Sequence, residues 1–271
     1  MAVSASPRGG SPNGQPRGAA FFDLDKTLMA GSSGVFFARA AYETGMITRG
    51  RLARDLYENV RFRLRGSTDD RADDVRRRVG EMIAGVRVRD LERLTPRVLA
   101  GVLPRLYPQM LERAYAHQDS GLPIYILTAA SQEMADLLAR VLFFDGGLGS
   151  RSEIVDGHYT GRPAGPFNYR EGKVLSMREV AERDGIDLAA SYAYSDSESD
   201  LPMLRAVRHA VVVNPDAMLR RIALEEGWEV IELDRLGRRL KVVAAIGAAA
   251  AIGGLGSVAR ERVGARIGSR A

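Results

Sequence analysis

The chain has 271 residues, 45% hydrophobic and 27% charged, the balance of an ordinary globular protein with apolar mass for one large domain or a core plus an insertion. It has no cysteine, which excludes disulfides, thiolate nucleophiles and cysteine metal sites, and its three histidines (His117, His158, His209) do not fall at a metal-ligand spacing. The net charge of +5 belongs to one end: from Arg235 to Ala271 eight basic residues face one acidic, so residues 1–234 carry −2 and the body has no basic surplus that would suit nucleic acid.

Residues 1–17 are rich in Ser, Pro and Gly and read as a disordered leader. They lack the apolar stretch of a secretory signal, so the expectation is a cytoplasmic chain. The run "GAAFFDL" that follows suits a buried strand, and Asp23 and Asp25 stand where it ends. Residues 35–120 carry no strand signal. Leu52, Leu56, Val60 and Leu64 recur every four residues, and Val75, Val79 and Ile83 do so again after an Asp-rich start at Thr68. This segment reads as an all-helical insert, with its arginine runs as solvated helix faces.

Further apolar runs recur at "LPIYILT" (122–128), "SYAYS" (191–195), "HAVVVN" (209–214) and "EVIEL" (229–233), separated mostly by helical patterns. Strands alternating with helices predict an α/β fold, a parallel sheet with helices on both faces. The core is expected over 18–34 and 121–233, with a small hairpin in "SEIVDGHYTGR" turning at Asp156-Gly157.

In such a sheet, ligands bind beyond the carboxyl ends of the strands. Asp23 and Asp25 close the first strand, Thr128 closes the second, and Asp196 and Asp200 follow the third. Lys173 opens the helix before that third strand. It is one of only three lysines (Lys26, Lys173, Lys241) among 39 basic residues. Clustered carboxylates repel unless a cation sits among them, and oxygen ligands without His or Cys favour Mg²⁺. An ammonium, a hydroxyl and the helix N-terminus near Ser131 complete a pocket for a small oxyanion, so the parts are those of a phosphoryl-transfer site.

With these residues in place, "DLDKT" resembles the D-x-D-x-T signature of the haloacid dehalogenase superfamily. "LTAAS", Lys173 and "SDSESD" resemble its second, third and fourth motifs. "YSDSESDLPML" followed by "VVVNPD" is most similar to the phosphoserine-phosphatase-like subfamily, subfamily IB. The resemblance implies a Rossmann-like core with a C1-type helical cap at 35–120. It also implies Mg²⁺-dependent hydrolysis of a small phosphomonoester through an aspartyl phosphate. Asp23 would be the nucleophile and Asp25 the acid and base. Asp196, the Asp23 side chain and the Asp25 backbone carbonyl would hold Mg²⁺. Thr128 and Lys173 would grip phosphoryl oxygens, and Asp200 would orient Lys173 or a metal-bound water.

Two departures bear on the substrate. Family members that act on phosphoserine carry an acidic residue a few positions after the first motif, whereas "LMAGSSG" has no acid until Glu43. They also read Gly-Asp-Gly in the fourth motif, where this chain has Ser195-Asp196-Ser197. A regulator that binds a phospho-ligand without catalysis would be expected to lose Asp23, Asp25 or Lys173, and all three are present. The basic Ala/Gly-rich tail at 234–271 contains eighteen uncharged residues, 242–259, flanked by arginines. Contact of that stretch with a membrane would make a lipid-linked phosphate, such as a lysophospholipid, the alternative substrate.

Overall fold

A computed structural model of the chain describes residues 17–47, 50, 76, 77 and 79–233. The leader, the repeat from Leu52 to Leu64 and the tail lie outside the described residues. The chain divides into two compact units, Met1–Ile231 and Glu232–Ala271, and the sheet, the insert and the candidate site all belong to the first.

The described residues form a six-stranded sheet in the order β3-β2-β1-β6-β7-β8. Its strands are β1 (Ala20–Phe22), β2 (Ile124–Ser131), β3 (Gly146–Ser150), β6 (Tyr192–Ser195), β7 (His209–Val213) and β8 (Glu229–Ile231), and every neighbouring pair is parallel. β1 is central because both faces of "AFF" are apolar, and all three of its residues are fully buried. On one face Phe21 stacks on Tyr125 at 5.5 Å between ring centres, in a core shared with Leu127, Ala193, Val212 and Met177. On the other, Phe22 stacks on Tyr194 at 4.3 Å and meets the edge of Phe144. Burial of each phenylalanine contributes about 1.5–3 kcal/mol, which anchors the strand from both sides.

The strands expected from the sequence are present, and β3 is an addition. "GGLGS" carries no apolar pattern because a helix presses on it: a Cβ on Gly147 would stand 2.2 Å from the backbone of Ala135, and one on Gly149 2.5 Å from Ser131 O. That helix, α5, spans Gln132–Val141, and the Ser131 hydroxyl caps it by accepting from Met134 N. The remaining core helices are α6 (Glu171–Asp184), α7 (Leu201–Arg205) and α8 (Ala217–Glu225). The hairpin forms as expected: β4 (Ser152–Val155) and β5 (His158–Pro163) pair antiparallel, and Asp156 and Gly157 turn at φ 49° and 73°.

Between β1 and β2 the described residues are helical and carry no sheet strand. The helices are α1 (Ser33–Glu43), a turn over 79–83, α2 (Val88–Glu92), α3 (Thr95–Val102) and α4 (Pro108–Asp119). The last of these differs from the expected boundary of the insert. α4 lies on the sheet, where Arg113 Nε and His117 Nε2 reach the buried Tyr194 hydroxyl at 3.1 and 2.7 Å. The hairpin in turn grips the insert through Gly85 N to Tyr159 O at 2.8 Å and Tyr159 N to Val86 O at 2.9 Å. No helix among the described residues is long and apolar enough to cross a membrane.

The close approach of α5 to β3 sets a test. Gly147→Ala forces its methyl into backbone that cannot rotate away, and it should destabilise the fold by about 1–3 kcal/mol. A urea midpoint unchanged from the parent chain would contradict this packing.

Candidate active site

The strand order reverses its direction of winding at β1: β2 and β3 lie to one side, β6 to β8 to the other. The crevice at such a switch point, beyond the carboxyl ends of the strands, is where open α/β sheets bind ligands. Register delivers the acidic residues to that place. Phe22 is level with both Ile126 and Tyr194, so Asp23 emerges beside the ends of β2 and β6, held by its N–H on Tyr194 O at 2.9 Å. Asp196 leaves β6 one residue later.

Lys173 sits at the centre. Its ammonium donates to Asp23 Oδ1 at 2.5 Å and to Asp200 Oδ2 at 2.6 Å, and all three side chains are buried. The location opposes a cation twice. Burial penalises the charge, and the first turn of α6 presents the positive end of the helix dipole. Burial alone would lower the Lys173 pKa, but Asp200 and Asp23 outweigh it and hold the ammonium above its ordinary range. A tight entry fixes this turn: Arg170 adopts φ 52°, and a Cβ on Gly172 would meet Phe167 O at 1.8 Å.

The carboxylates show the complementary pattern. Burial, with repulsion from Asp200, Asp196 and Asp25, pushes Asp23 well above the usual carboxylate range against the pull of Lys173. Asp196 is raised by burial, opposed by Lys26, whose Nζ lies 2.9 Å from Asp196 Oδ2. The site carries more buried negative charge than its lysines relieve.

Asp25 is placed differently. Its carboxylate faces the start of α1, accepting from Ser32 Oγ and Ser33 N, each at 2.8 Å. Thr128 is buried on β2, and its hydroxyl accepts from Ala130 N at 3.2 Å. Hydrogen bonds thus join Asp23, Lys173 and Asp200 in one group and Lys26 and Asp196 in a second, while Asp25 is bonded to the linker into the insert. Among the described residues no three His, Cys, Asp or Glu side chains gather as a metal-ligand set.

The haloacid dehalogenase-like hydrolase family model matches residues 20–205, the stretch that contains every one of these groups. The chain belongs to that family. It is 36% identical over 250 residues to phosphoserine phosphatase SerB1 of Mycobacterium tuberculosis, covering 90% of this chain and 80% of the relative. A crystal structure from Bordetella pertussis Tohama I, of a protein with unknown function, superposes with a TM-score of 0.72 at 29% identity, covering 80% of this chain and 99% of that one. A substrate-bound phosphoserine phosphatase structure superposes at 0.59 and 17% identity, covering 84% of this chain and 99% of that one, a likeness of fold.

Three features of this haloacid dehalogenase site are not evident from the motifs. Ser195 is fully buried and donates to Asp200 Oδ2 at 2.6 Å, while its oxygen accepts from Ser197 N at 3.2 Å. Ser197 in turn caps the 3-10 turn Glu198–Asp200 by accepting from Ser199 N. Both serines that replace family glycines therefore brace Asp200, and the only signal for this was the departure itself. Asn168 is the second feature: fully buried, it bonds Leu148 O and the Ser176 hydroxyl, tying the end of β3 to the helix that carries Lys173. The third is Thr27, the last position of "DLDKT", whose buried hydroxyl has no hydrogen-bond partner.

Lys173→Met removes the one ammonium shared by Asp23 and Asp200 and leaves both buried. We expect a loss of about 3–5 kcal/mol in chemical denaturation, the usual cost of stripping one partner from a buried pair. A stability equal to the parent's would show that the ion pair is not formed.

Proposed function

We propose that this haloacid dehalogenase-family phosphatase hydrolyses a small phosphomonoester in two steps through a phosphoryl group carried on Asp23. The observation that supports this most directly is the buried Lys173 ammonium between Asp23 and Asp200 at the switch point. An ammonium there holds a nucleophilic carboxylate in one orientation and offers positive charge to the non-bridging oxygens of an incoming phosphoryl group.

The donor set fits Mg²⁺. It is made of oxygen atoms only, it is buried, and burial holds its carboxylates above their usual range despite Lys173 and Lys26. Asp23, Asp196 and the Asp25 carbonyl would hold the ion, which when bound neutralises charge on the phosphoryl oxygens. The protein's own groups do the rest. Asp23 Oδ attacks phosphorus in line with the departing oxygen and forms the mixed anhydride. Lys173, Thr128 and the α5 N-terminus hold the equatorial oxygens. Asp25 exchanges its bonds to Ser32 and Ser33 for the leaving oxygen, delivers a proton to it, and then takes a proton from the water that cleaves the acyl phosphate. Asp200, braced by Ser195, keeps Lys173 in place throughout.

For the substrate, the linker into the insert is informative. Of its two serines, Ser32 donates its hydroxyl and Ser33 its backbone N–H to Asp25, and 28–34 offers no carboxylate to a substrate ammonium. A phosphomonoester whose alcohol is not an amino acid fits this linker better than phosphoserine does. The relative named as a phosphoserine phosphatase makes phosphoserine the comparison to include.

The test is phosphate release, with and without Mg²⁺, from phosphoserine, histidinol phosphate, sugar phosphates, nucleotides and lysophospholipids. At least one should be turned over in a Mg²⁺-dependent manner, and Asp23→Asn should reduce release to background while its thermal midpoint stays close to the parent's. Near-normal release by Asp23→Asn would remove Asp23 as the nucleophile. Silence of the parent chain on every substrate would favour a phospho-ligand-binding role.

A further inference from the structure

Lys26 is the second lysine at this site and is left over by the reaction just described. It stands between Asp25 and Thr27 in the loop after β1, and its backbone is left-handed, at φ 60°. Glycine occupies that region freely and lysine does not, so the side chain is present despite the backbone rather than because of it. Its ammonium donates to Asp196 Oδ2 at 2.9 Å; the lysine side chain is 51% exposed and that of Asp196 only 9%. The other basic positions of this chain are almost all arginine, whose rigid fork would grip a carboxylate more firmly. A lysine is a single point charge on a flexible stem that can withdraw into water.

We propose that Lys26 is a resident counter-ion of the metal site, holding Asp196 while no divalent cation is bound and being displaced when one arrives, so that it sets the affinity of the site for Mg²⁺. This rests on the Mg²⁺ reading above. Asp196 is buried and needs positive charge beside it whether or not metal is present. Lys26 supplies that charge in the metal-free chain and keeps the carboxylate from turning away. It cannot remain at no cost once a dication binds the same carboxylate, because a single and a double positive charge would then stand a few ångströms apart. That repulsion exceeds the gain from one lysine hydrogen bond, even after solvent on the exposed side has screened part of it. An ammonium that merely oriented Asp196 for the metal would have the opposite effect on affinity, and this difference in sign makes the idea testable.

The experiment is calorimetric titration of Mg²⁺ alone into the metal-free full-length chain at fixed pH and ionic strength. It compares the parent with Lys26→Met, Lys26→Gly and Lys26→Arg, and each chain is also melted in chelator and in Mg²⁺. Lys26→Met and Lys26→Gly should bind Mg²⁺ about tenfold more tightly than the parent, a gap that narrows as salt is raised. Lys26→Met should melt lower than the parent in chelator, and both variants should gain more from Mg²⁺. Lys26→Arg should bind Mg²⁺ more weakly than the parent, because its fork holds Asp196 harder. The glycine variant also relaxes the left-handed backbone, so it decides the matter if the methionine variant folds poorly. Equal or weaker Mg²⁺ binding by the methionine and glycine variants overturns the proposal, as does tightening by Lys26→Arg. A parent chain that binds no Mg²⁺, joined by variants that bind none, overturns the metal reading itself.

Discussion

A lysine ammonium buried at the N-terminal end of a helix is unfavourable in two ways, and the catalytic crevice of this protein is organised around one. Lys173 is tolerated because Asp23 comes to it from β1 and Asp200 from the turn after β6. These three groups join two strands and one helix that are distant in sequence, and the surrounding structure serves to keep them together. Phe21 and Phe22 hold β1 at the centre of the sheet so that Asp23 emerges at one level. Asn168 and Ser176 lock α6 against β3, and Ser195 fixes Asp200. Removing Asn168, Ser176 or Ser195 would loosen Lys173 and Asp200 while leaving β1 and Asp23 in place.

The same charge balance explains the form of the site. Two lysines face three buried aspartates, Asp23, Asp196 and Asp200. The proposed cation and phosphate would offset this excess in turn, each arrival compensating the charge of what is already there. Asp25 stands apart from this balance. Its two bonds to Ser32 and Ser33 couple the expected acid to the first turn of α1, so the proposed proton carrier is attached to the element that leads into the insert.

Much of this was legible in the sequence because it followed from strong local signals. Short apolar runs gave β1, β2, β6, β7 and β8, and the residues at their carboxyl ends fell at the crevice. Asp156-Gly157 gave the hairpin turn. What escaped had a physical reason in each case. β3 is glycine-rich because α5 lies against it, so packing erased the apolar pattern by which a strand is recognised. α4 looked like one more helix of the insert, since nothing local shows that Arg113 and His117 point to Tyr194 on a strand about eighty residues away. The link between Lys26 and Asp196 spans 170 positions, and the serine bonds that hold Asp25 depend on the path of a loop. Motif spacing identifies which residues meet; it does not say which of them are already engaged.

The central claim is that Asp23 carries the phosphoryl group. The most direct measurement is borohydride trapping during turnover of a substrate found by phosphate release, followed by peptide mass spectrometry. An acyl phosphate is reduced to the alcohol, so the account predicts homoserine in place of aspartate at position 23, dependent on substrate and absent from Asp23→Asn. An unmodified Asp23 during turnover, or reduction at another carboxylate in the crevice, would contradict it.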